Sequence, residues 1–189
     1  MDKIERKIIS QLQIDGRATL EELAKNVGFT SMGAKKRLQR LIQQGAIKVS
    51  ASLNPFFFKL FPAVVLLEME SAEAMQKLLE RFKDCPRVIH IFKTLGGYNL
   101  IALVVAENQD TLESISIEKC SLRSGAGIRR SEFYPIGEVH FSPFLPVREH
   151  LTHRELEKAP CNVKCKPCTR YTNMKCVGCP ATIHYRGTL

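Results

Sequence analysis

The chain has 189 residues, of which 44% are hydrophobic and 25% charged, a composition typical of a globular domain and unlike that of disordered or fibrous chains. The longest apolar run, Phe61 to Leu67, is shorter than the ~18 residues of a membrane span. With no signal-peptide pattern at the start, the sequence favours a cytoplasmic protein without a membrane partner. Its 28 basic and 19 acidic residues give a net charge of +9, which indicates a polyanionic partner.

The N-terminal region, residues 1–53, carries the pattern of three helices. Asp15-Gly16 ends the first helix, and Thr19 with Glu22 predicts a capping box at the start of the second. Gly28 supplies the turn that follows, and a third helix is predicted from Thr30 or Ser31 to about Gln44. The first helix is predicted from apolar residues at helical spacing, at Ile4, Ile8, Ile9 and Leu12.

The third predicted helix is basic, and no acidic residue interrupts the segment from Ser31 to Lys48. In a helix-turn-helix its exposed face is available to the DNA major groove. Cationic side chains there would neutralise phosphates, whereas small residues at the helix start would lie nearest to base edges. The residues predicted to contact double-stranded DNA are Ser31, Met32, Lys35, Lys36 and Arg40.

Several short motifs of this region resemble, in order and spacing, the N-terminal domain of the Lrp/AsnC family of transcription regulators. The motifs are Asp2–Ile9, Asp15–Ala18, Leu23–Gly28, Lys36–Leu41 and Gly45–Ile47. The resemblance implies a sequence-specific DNA-binding regulator, not an enzyme, whose third helix reads DNA. We expect this domain to be tri-helical or winged, with residues Ile47 to Leu53 forming a linking strand.

Residues 54–147 show the order strand, helix, strand, strand, helix, strand. This is the ferredoxin-like βαββαβ sandwich, so the fold class is α+β. One sheet of this kind leaves a face to be covered, which predicts a homo-oligomer. The predicted elements are Phe61 to Met69, Ser71 to Asp84, Val88 to Thr94, Tyr98 to Ala106, Gln109 to Leu122 and Gly127 to Tyr134.

In Lrp/AsnC regulators the second domain likewise dimerises, assembles further, and can bind a small effector, often an amino acid, near the hairpin between the second and third strands. The matching positions are Gly96, Gly97, Tyr98 and Asn99. Relatives commonly carry Asp where Asn99 stands, and that carboxylate would pair with the ammonium group of an amino acid. The alternative is that the two glycines only shape a turn, because they permit positive φ, and that Tyr98 only packs.

The C-terminal region, residues 148–189, concentrates five cysteines in the spacing C-x3-C-x2-C-x7-C-x2-C. It has few aliphatic residues and is basic, so a tethered module of this size needs a metal or disulfides to fold. Two C-x2-C pairs suit a tetrahedral zinc ion, which makes zinc bound by Cys165, Cys168, Cys176 and Cys179 the simplest interpretation. The fifth candidate ligand is Cys161.

Two other metal sites remain open for the tail. An iron–sulfur cluster could use the C-x3-C-x2-C of Cys161, Cys165 and Cys168. Copper or another soft ion could be the regulatory signal, as in Lrp/AsnC-like regulators with cysteine-rich metal-sensing tails. The two remaining cysteines, Cys85 and Cys120, are interpreted as ordinary core or helix thiols.

An enzyme is the alternative to a regulator. Proteins of haem biosynthesis that decarboxylate sirohaem resemble Lrp/AsnC regulators in both domains, and in such an enzyme His90 or His140 would be candidate haem contacts. Each histidine lies between apolar residues in a predicted strand, which favours a position on the outside of a half-buried sheet. The basic third helix and the cysteine tail favour the regulator.

Overall fold

The computed structural model describes all of residues 1–189, and the chain forms two compact units, Met1–Ala51 and Ser52–Leu189. Residues 148–189, predicted to form a separate tethered module, are part of the second unit. None of the helices has the length and apolar character required to cross a bilayer.

The first unit contains three helices, α1 Lys3–Ile14, α2 Leu20–Val27 and α3 Ser31–Gln43. The predicted capping box is confirmed, because Thr19 Oγ1 accepts from the Glu22 amide while the Glu22 carboxylate accepts from the Thr19 amide. Gly28 ends α2 with φ 71°, a left-handed conformation that favours glycine. The buried core consists of Ile8, Leu23, Ala24 and Ala34.

The first unit has no strand, so it is tri-helical and the expectation of a wing is wrong. The predicted strand from Ile47 to Leu53 is also absent, apart from an isolated bridge between Leu53 and Leu145. A strand needs a partner for its backbone groups, and the first unit offers none. Val49 is accordingly 48% exposed.

The main elements of the second unit are β1 Phe61–Met69, α4 Ala72–Phe82, β2 Val88–Lys93, β3 Leu100–Ala106, α5 Gln109–Ile117 and β4 Ile128–Pro135. The four strands form an antiparallel sheet in the order β2-β3-β1-β4, which confirms the βαββαβ prediction. Short 3-10 helices lie at Leu122–Ser124 and Glu149–Leu151, and α6 spans Thr169–Thr172 in the tail.

Two local predictions in this unit differ from the structure. Helix α5 ends at Ile117 and not at Leu122, because the serines and β-branched isoleucines of its second half are weak helix formers. At the β2–β3 hairpin neither Gly96 nor Gly97 has positive φ. The hairpin forms where it was predicted, but it does not use the positive φ angles that two glycines permit.

The two faces of the sheet have different surroundings. Residues at alternate positions of β1 and β3 point toward α4 and α5, where Phe82 is among the most deeply buried side chains. The opposite face is partly open, with Phe92 53% and Tyr134 51% exposed. The strand register places the following residues on that open face: Val64, Leu66, His90, Phe92, Ile101, Leu103 and Tyr134.

The tail packs against the sandwich instead of standing apart from it. Ala159 and Cys161 are buried in the same apolar cluster as Phe82 of α4. The buried guanidinium of Arg87 forms an ion pair of 2.7 Å with Glu107 and donates a hydrogen bond of 2.6 Å to the carbonyl of Gly178. The tail therefore gains its core from the sandwich, which sequence reasoning did not anticipate.

Candidate functional sites

The five predicted DNA contacts share one exposed face of α3. Ser31, Met32, Lys35, Lys36 and Arg40 are all exposed, and Met32 is 72% exposed. The opposite side of the helix is held in the core through Ala34 and Leu41. The structure thus presents a continuous surface with cationic groups along it and small or apolar side chains at the helix start.

Two ion pairs fasten α3 to α1, and sequence reasoning missed both. Arg37 Nη1 lies 2.5 Å from Asp2 Oδ2, and its guanidinium also lies over the Phe29 ring, 5.2 Å from the centroid. Arg40 pairs with Glu5, whose carboxylate is almost fully buried. The backbone amide of Asp2 and the Arg40 guanidinium lower the pKa of Glu5. Arg40 therefore orients the helix in addition to facing the solvent.

The predicted effector positions lie at the β2–β3 hairpin, but they are not equivalent. Gly96 and Gly97 are exposed. The Asn99 side chain accepts from the Met69 amide at 2.8 Å and donates to the Met69 carbonyl at 2.9 Å. Both ends of this amide are thus used to extend the pairing of β3 with β1, which leaves Asn99 committed to the backbone.

Tyr98 belongs to a polar cluster on the open face of the sheet. Its hydroxyl and that of Tyr134 both donate to the Glu132 carboxylate, and the Arg130 guanidinium lies 4.3 Å from the Tyr98 ring centroid. Partial desolvation and the hydrogen bond to Glu132 raise the pKa of Tyr98. Hydrogen bonds from the two tyrosines lower the pKa of Glu132.

All seven cysteines line a single cavity of about 320 Å³ in the second unit, and none forms a disulfide. The five predicted ligands are there, namely Cys161, Cys165, Cys168, Cys176 and Cys179. Cys85 and Cys120 pack against the apolar core of the second unit, as the interpretation of core thiols predicts, and they also line this cavity. They come from loops after α4 and α5, and only the folded sandwich brings them to the tail.

The thiols surround the cavity without converging on one point. A tetrahedral zinc site needs four sulfurs at about 2.3 Å from the ion, whereas no three His, Cys, Asp or Glu side chains are grouped closely enough to hold one ion. No histidine lines the cavity. Burial raises the pKa of Cys179 to about 12 and raises the pKa of Cys85 and Cys165 as well, so these thiols are protonated at neutral pH.

The two candidate haem histidines are both on the surface. His90 is exposed on β2 beside Phe92, with 5.6 Å between the ring centroids. His140 is exposed in a loop, not in the predicted strand, with Nε2 3.9 Å from a carboxylate oxygen of Glu138.

Comparison with known proteins identifies both folded parts of the chain. Residues 1–42 match the AsnC-type helix-turn-helix domain, and residues 62–135 match the Lrp/AsnC ligand binding domain. The chain is 25% identical over 115 residues to the HTH-type transcriptional regulator FL11 of Pyrococcus horikoshii, covering 60% of this chain and 76% of FL11. It is 30% identical over 105 residues to the HTH-type transcriptional regulator PH0045 of the same organism, covering 53% and 68%.

Solved structures agree on the fold. The crystal structure of PH0061 superposes with a TM-score of 0.67 at 21% identity, covering 75% of this chain and 96% of that one. AsnC of E. coli gives a TM-score of 0.65 at 20% identity, covering 75% and 95%. The family matches end at residue 135, before the cysteine-rich tail. FL11 and PH0045 are transcriptional regulators, so the comparisons do not favour the haem-biosynthesis alternative. The chain belongs to the Lrp/AsnC family of DNA-binding transcription regulators, which are not enzymes.

Proposed function

We propose that the protein regulates transcription as a homo-oligomer that recognises specific sequences of double-stranded DNA through the exposed face of α3. The observation that supports this most directly is the shared exposure of the five predicted contact residues on one helix face. Lys35 and Lys36 neutralise phosphates, and Ser31 and Met32 approach base edges. Arg40, held by Glu5, sets the angle of the helix and adds positive charge.

Single substitutions on α3 test this assignment. Lys36→Ala should weaken binding to all DNA sequences alike and reduce the slope of log K against log salt by about 1, because one phosphate contact is lost. Met32→Ala should instead change sequence preference. Lys77→Ala is the charge-matched control, since Lys77 lies on α4 and pairs with Glu73 at 2.7 Å. Unchanged binding in both α3 variants would contradict the DNA-reading role.

The effector site is proposed at the β2–β3 hairpin, through the exposed backbone of Gly96 and Gly97 and the ring of Tyr98. The match of residues 62–135 to a ligand binding domain supports this. Asn99 contributes indirectly, by holding the hairpin to Met69. Calorimetric titration of amino acids into the wild type and into Tyr98→Ala tests the site, because an affinity unaffected by the substitution would rule out contact with Tyr98.

The cysteine tail is proposed to bind a metal and to stabilise the regulator or report metal or redox state. Zinc is the simplest candidate, with an iron–sulfur cluster or copper as alternatives, and the thiol-lined cavity supports a soft-metal site in general. A chain with seven cysteines and no disulfide fits a reducing, cytoplasmic compartment. Because metal binding couples to deprotonation and folding, DNA affinity measured with and without metal tests the sensory role, and equal affinities would leave only a structural one.

A further inference from the structure

The cavity between the cysteine tail and the sandwich is large enough to hold a small molecule. Its volume of about 320 Å³ is roughly twice that of the ~150 Å³ apolar cavity known to accommodate benzene. Protein interiors otherwise contain few voids larger than a water molecule. The cavity extends inward to Val65 and Phe82, which are 2% and 1% exposed, so it reaches the main apolar core of the second unit.

The deep part of the cavity is lined by apolar side chains from both parts of the second unit. The sandwich contributes Phe82, Val88 and Val104, and the tail contributes Ala159 and Val163. All five belong to the same apolar cluster or pack against it. A molecule in the cavity would therefore contact the sandwich and the tail together.

The cysteines add to this apolar lining. Burial raises the pKa of Cys85 and Cys165, and it raises the pKa of Cys179 to about 12, so these thiols are neutral at pH 7. A neutral thiol packs as a small hydrophobic group and is only a weak hydrogen-bond donor. The cysteines thus offer a ligand apolar surface.

The polar side chains of the deep wall already have partners. Arg87 pairs with Glu107 and donates to the Gly178 carbonyl, and the Ser114 hydroxyl donates to the Lys175 carbonyl at 2.8 Å. No buried side-chain nitrogen or oxygen of the chain lacks a hydrogen-bond partner. Because burying a polar group without a partner is unfavourable, the part of a ligand inside the cavity is expected to be hydrocarbon. This excludes a sugar or a nucleotide.

The mouth of the cavity, where the exposed residues Lys119 and Lys164 line it, carries positive charge. Neither lysine is part of an ion pair. Glu118 is the one carboxylate among the lining residues. The two lysines outnumber it, so the mouth favours an anionic group over a cationic one.

Arg81 of α4 fixes the backbone at the mouth. Its Nη2 donates to the Lys119 carbonyl, and its Nε donates to the Cys161 carbonyl at 3.3 Å. The Lys119 carbonyl also accepts from the Ser124 hydroxyl at 2.7 Å. The backbone that carries Lys119 is therefore held beside the first cysteine of the tail.

We propose that this cavity binds a small apolar carboxylate, with its hydrocarbon body between the sandwich and the tail and its carboxylate at Lys119 and Lys164. The volume suits a body about twice the size of benzene. None of the residues of the β2–β3 hairpin lines the cavity, so this site is separate from the effector site proposed above. Binding stabilises the packing of the tail on the sandwich, because both contact the ligand.

Calorimetric titration of 4-phenylbutanoate into the full chain tests the proposal. The wild type should bind it at a single site. The amine 4-phenylbutylamine, which has the same ring and chain, should bind at least about tenfold more weakly because the lysines repel its charge. Equal affinity for the acid and the amine would overturn the placement of a carboxylate at the mouth.

Substitution of the two lysines gives a second test by the same titration. Lys119→Ala and Lys164→Ala should each weaken binding of 4-phenylbutanoate by about three- to tenfold, because each removes one charged partner of the carboxylate. Lys158→Ala is the matched control, since Lys158 is an exposed lysine of the tail that does not line the cavity. Wild-type affinity in both mouth variants would contradict the proposal.

Nuclear magnetic resonance of methyl groups locates the hydrocarbon body without any substitution. Addition of 4-phenylbutanoate to the wild-type chain should shift the methyl signals of Val88 and Val104, which line the cavity. The signals of Val64 and Leu66, on the opposite face of the sheet, should stay in place. Unchanged signals from Val88 and Val104 at saturating 4-phenylbutanoate would overturn the site.

The outcomes also separate this inference from the functions proposed above. Tyr98→Ala should leave the binding of 4-phenylbutanoate unchanged, and a loss of binding in that variant would assign the ligand to the hairpin and overturn the cavity site. Elemental analysis of the same samples reports the metal role of the tail. If 4-phenylbutanoate binds only after a chelator has removed metal, the cavity belongs to the metal and the inference is overturned.

Discussion

At the scale of single residues, Asn99 shows how the hydrogen bonds of one side chain change the role that can be assigned to a loop. Its position matches the place where an acidic residue would contact an effector, yet its amide is bonded to both backbone groups of Met69. A carboxylate could accept from the Met69 amide but could not donate to the Met69 carbonyl. Asn99 is therefore suited to closing the sheet edge.

Asn99→Asp should destabilise the second unit by about 1 to 3 kcal/mol, because the Met69 carbonyl loses its donor and faces a negative charge. Urea denaturation at fixed protein concentration measures the change. Gly97→Ala is the control, since a Cβ there meets no atom within 4 Å, and should stay within about 0.5 kcal/mol of the wild type. Equal stability of Asn99→Asp and wild type would show that these two hydrogen bonds contribute nothing.

Asp2 gives a pH-dependent prediction. Hydrogen bonds from the backbone of Glu5 and from the Arg37 guanidinium lower its pKa from 3.8 to about 2. The unfolded chain therefore binds this proton more readily, so the stabilisation by Asp2 is complete above pH ~4 and is lost as pH falls through ~2. The stability difference between wild type and Asp2→Asn, followed by denaturation from pH 6 to pH 2, should shrink over that interval. A constant difference would contradict the assignment.

The sequence predicted contacts between single residues correctly where the two residues lie close together in the chain. The capping box of Thr19 and Glu22 spans one helical turn, so it was predicted and is confirmed. The pair of Arg40 and Glu5 joins residues on different helices, and no pattern in either helix marks it. The same limit explains why Arg40 was predicted only as a DNA contact.

At the scale of elements, α3 depends on its first turn. Thr30 is its N-cap, and its hydroxyl accepts from the Gly33 amide at 3.1 Å. This cap matters more here than elsewhere because Gly33 lowers the intrinsic stability of the same turn by about 1 kcal/mol relative to alanine. The residues predicted to approach the bases, Ser31 and Met32, lie within that turn.

Thr30→Ala should destabilise the start of α3 by about 1 kcal/mol, with faster hydrogen exchange at the Gly33 amide and weaker DNA binding. Thr30→Ser keeps a hydroxyl in the same place and should behave like the wild type. Measuring exchange by nuclear magnetic resonance on the full chain separates this local effect from global unfolding. Unchanged exchange at Gly33 in the alanine variant would mean that the cap does not stabilise the turn.

The order of elements was predictable because each strand and helix carries its own periodicity, and the βαββαβ sandwich is confirmed. The two errors have different causes. The segment from Ile47 to Leu53 has strand composition but lacks a neighbouring strand, which only the tertiary structure shows. The end of α5 at Ile117 reflects the low helix propensity of its second half, which the prediction of a helix to Leu122 underestimated.

At the scale of the whole molecule, the open sheet face supports the proposed self-association. Phe92 and Tyr134 are about half exposed there, on a face where Val64 and Leu66 are only partly covered. Burying such side chains against a second copy removes apolar surface from water, which favours association by roughly 25 cal/mol per Å² of apolar area, before the entropic cost of association is subtracted.

Phe92→Asp should shift the protein toward monomers, because a dimer would then bury an unpaired charge. Sedimentation analysis over a range of protein concentrations measures the change. Ile14→Asp is the control, since Ile14 is 86% exposed at the end of α1 and lies outside the sheet. An oligomer that tolerates Phe92→Asp would place the interface on another surface.

The tail is where sequence reasoning reached least far. Its five cysteines were recognised by spacing, but spacing cannot show that Cys85 and Cys120 join them. The cysteines that line the cavity come from three separated segments of the chain, which only the folded structure brings together. The tail was expected to be a tethered module because its apolar content is low. In the structure, its apolar residues are instead buried in the core of the sandwich.

The bond from Arg87 to the carbonyl of Gly178 spans 91 residues of sequence, and it has a consequence for synthesis on the ribosome. When β4 emerges, all four strands are present, but the apolar surface beside Phe82 still lacks Ala159 and Cys161. Because domains complete their cores only when every contributing segment has been made, this sandwich cannot finish folding before Ala159, Cys161 and Gly178 have left the exit tunnel. Truncation within the tail would therefore leave the apolar surface beside Phe82 exposed to water, and the truncated chains would tend to aggregate.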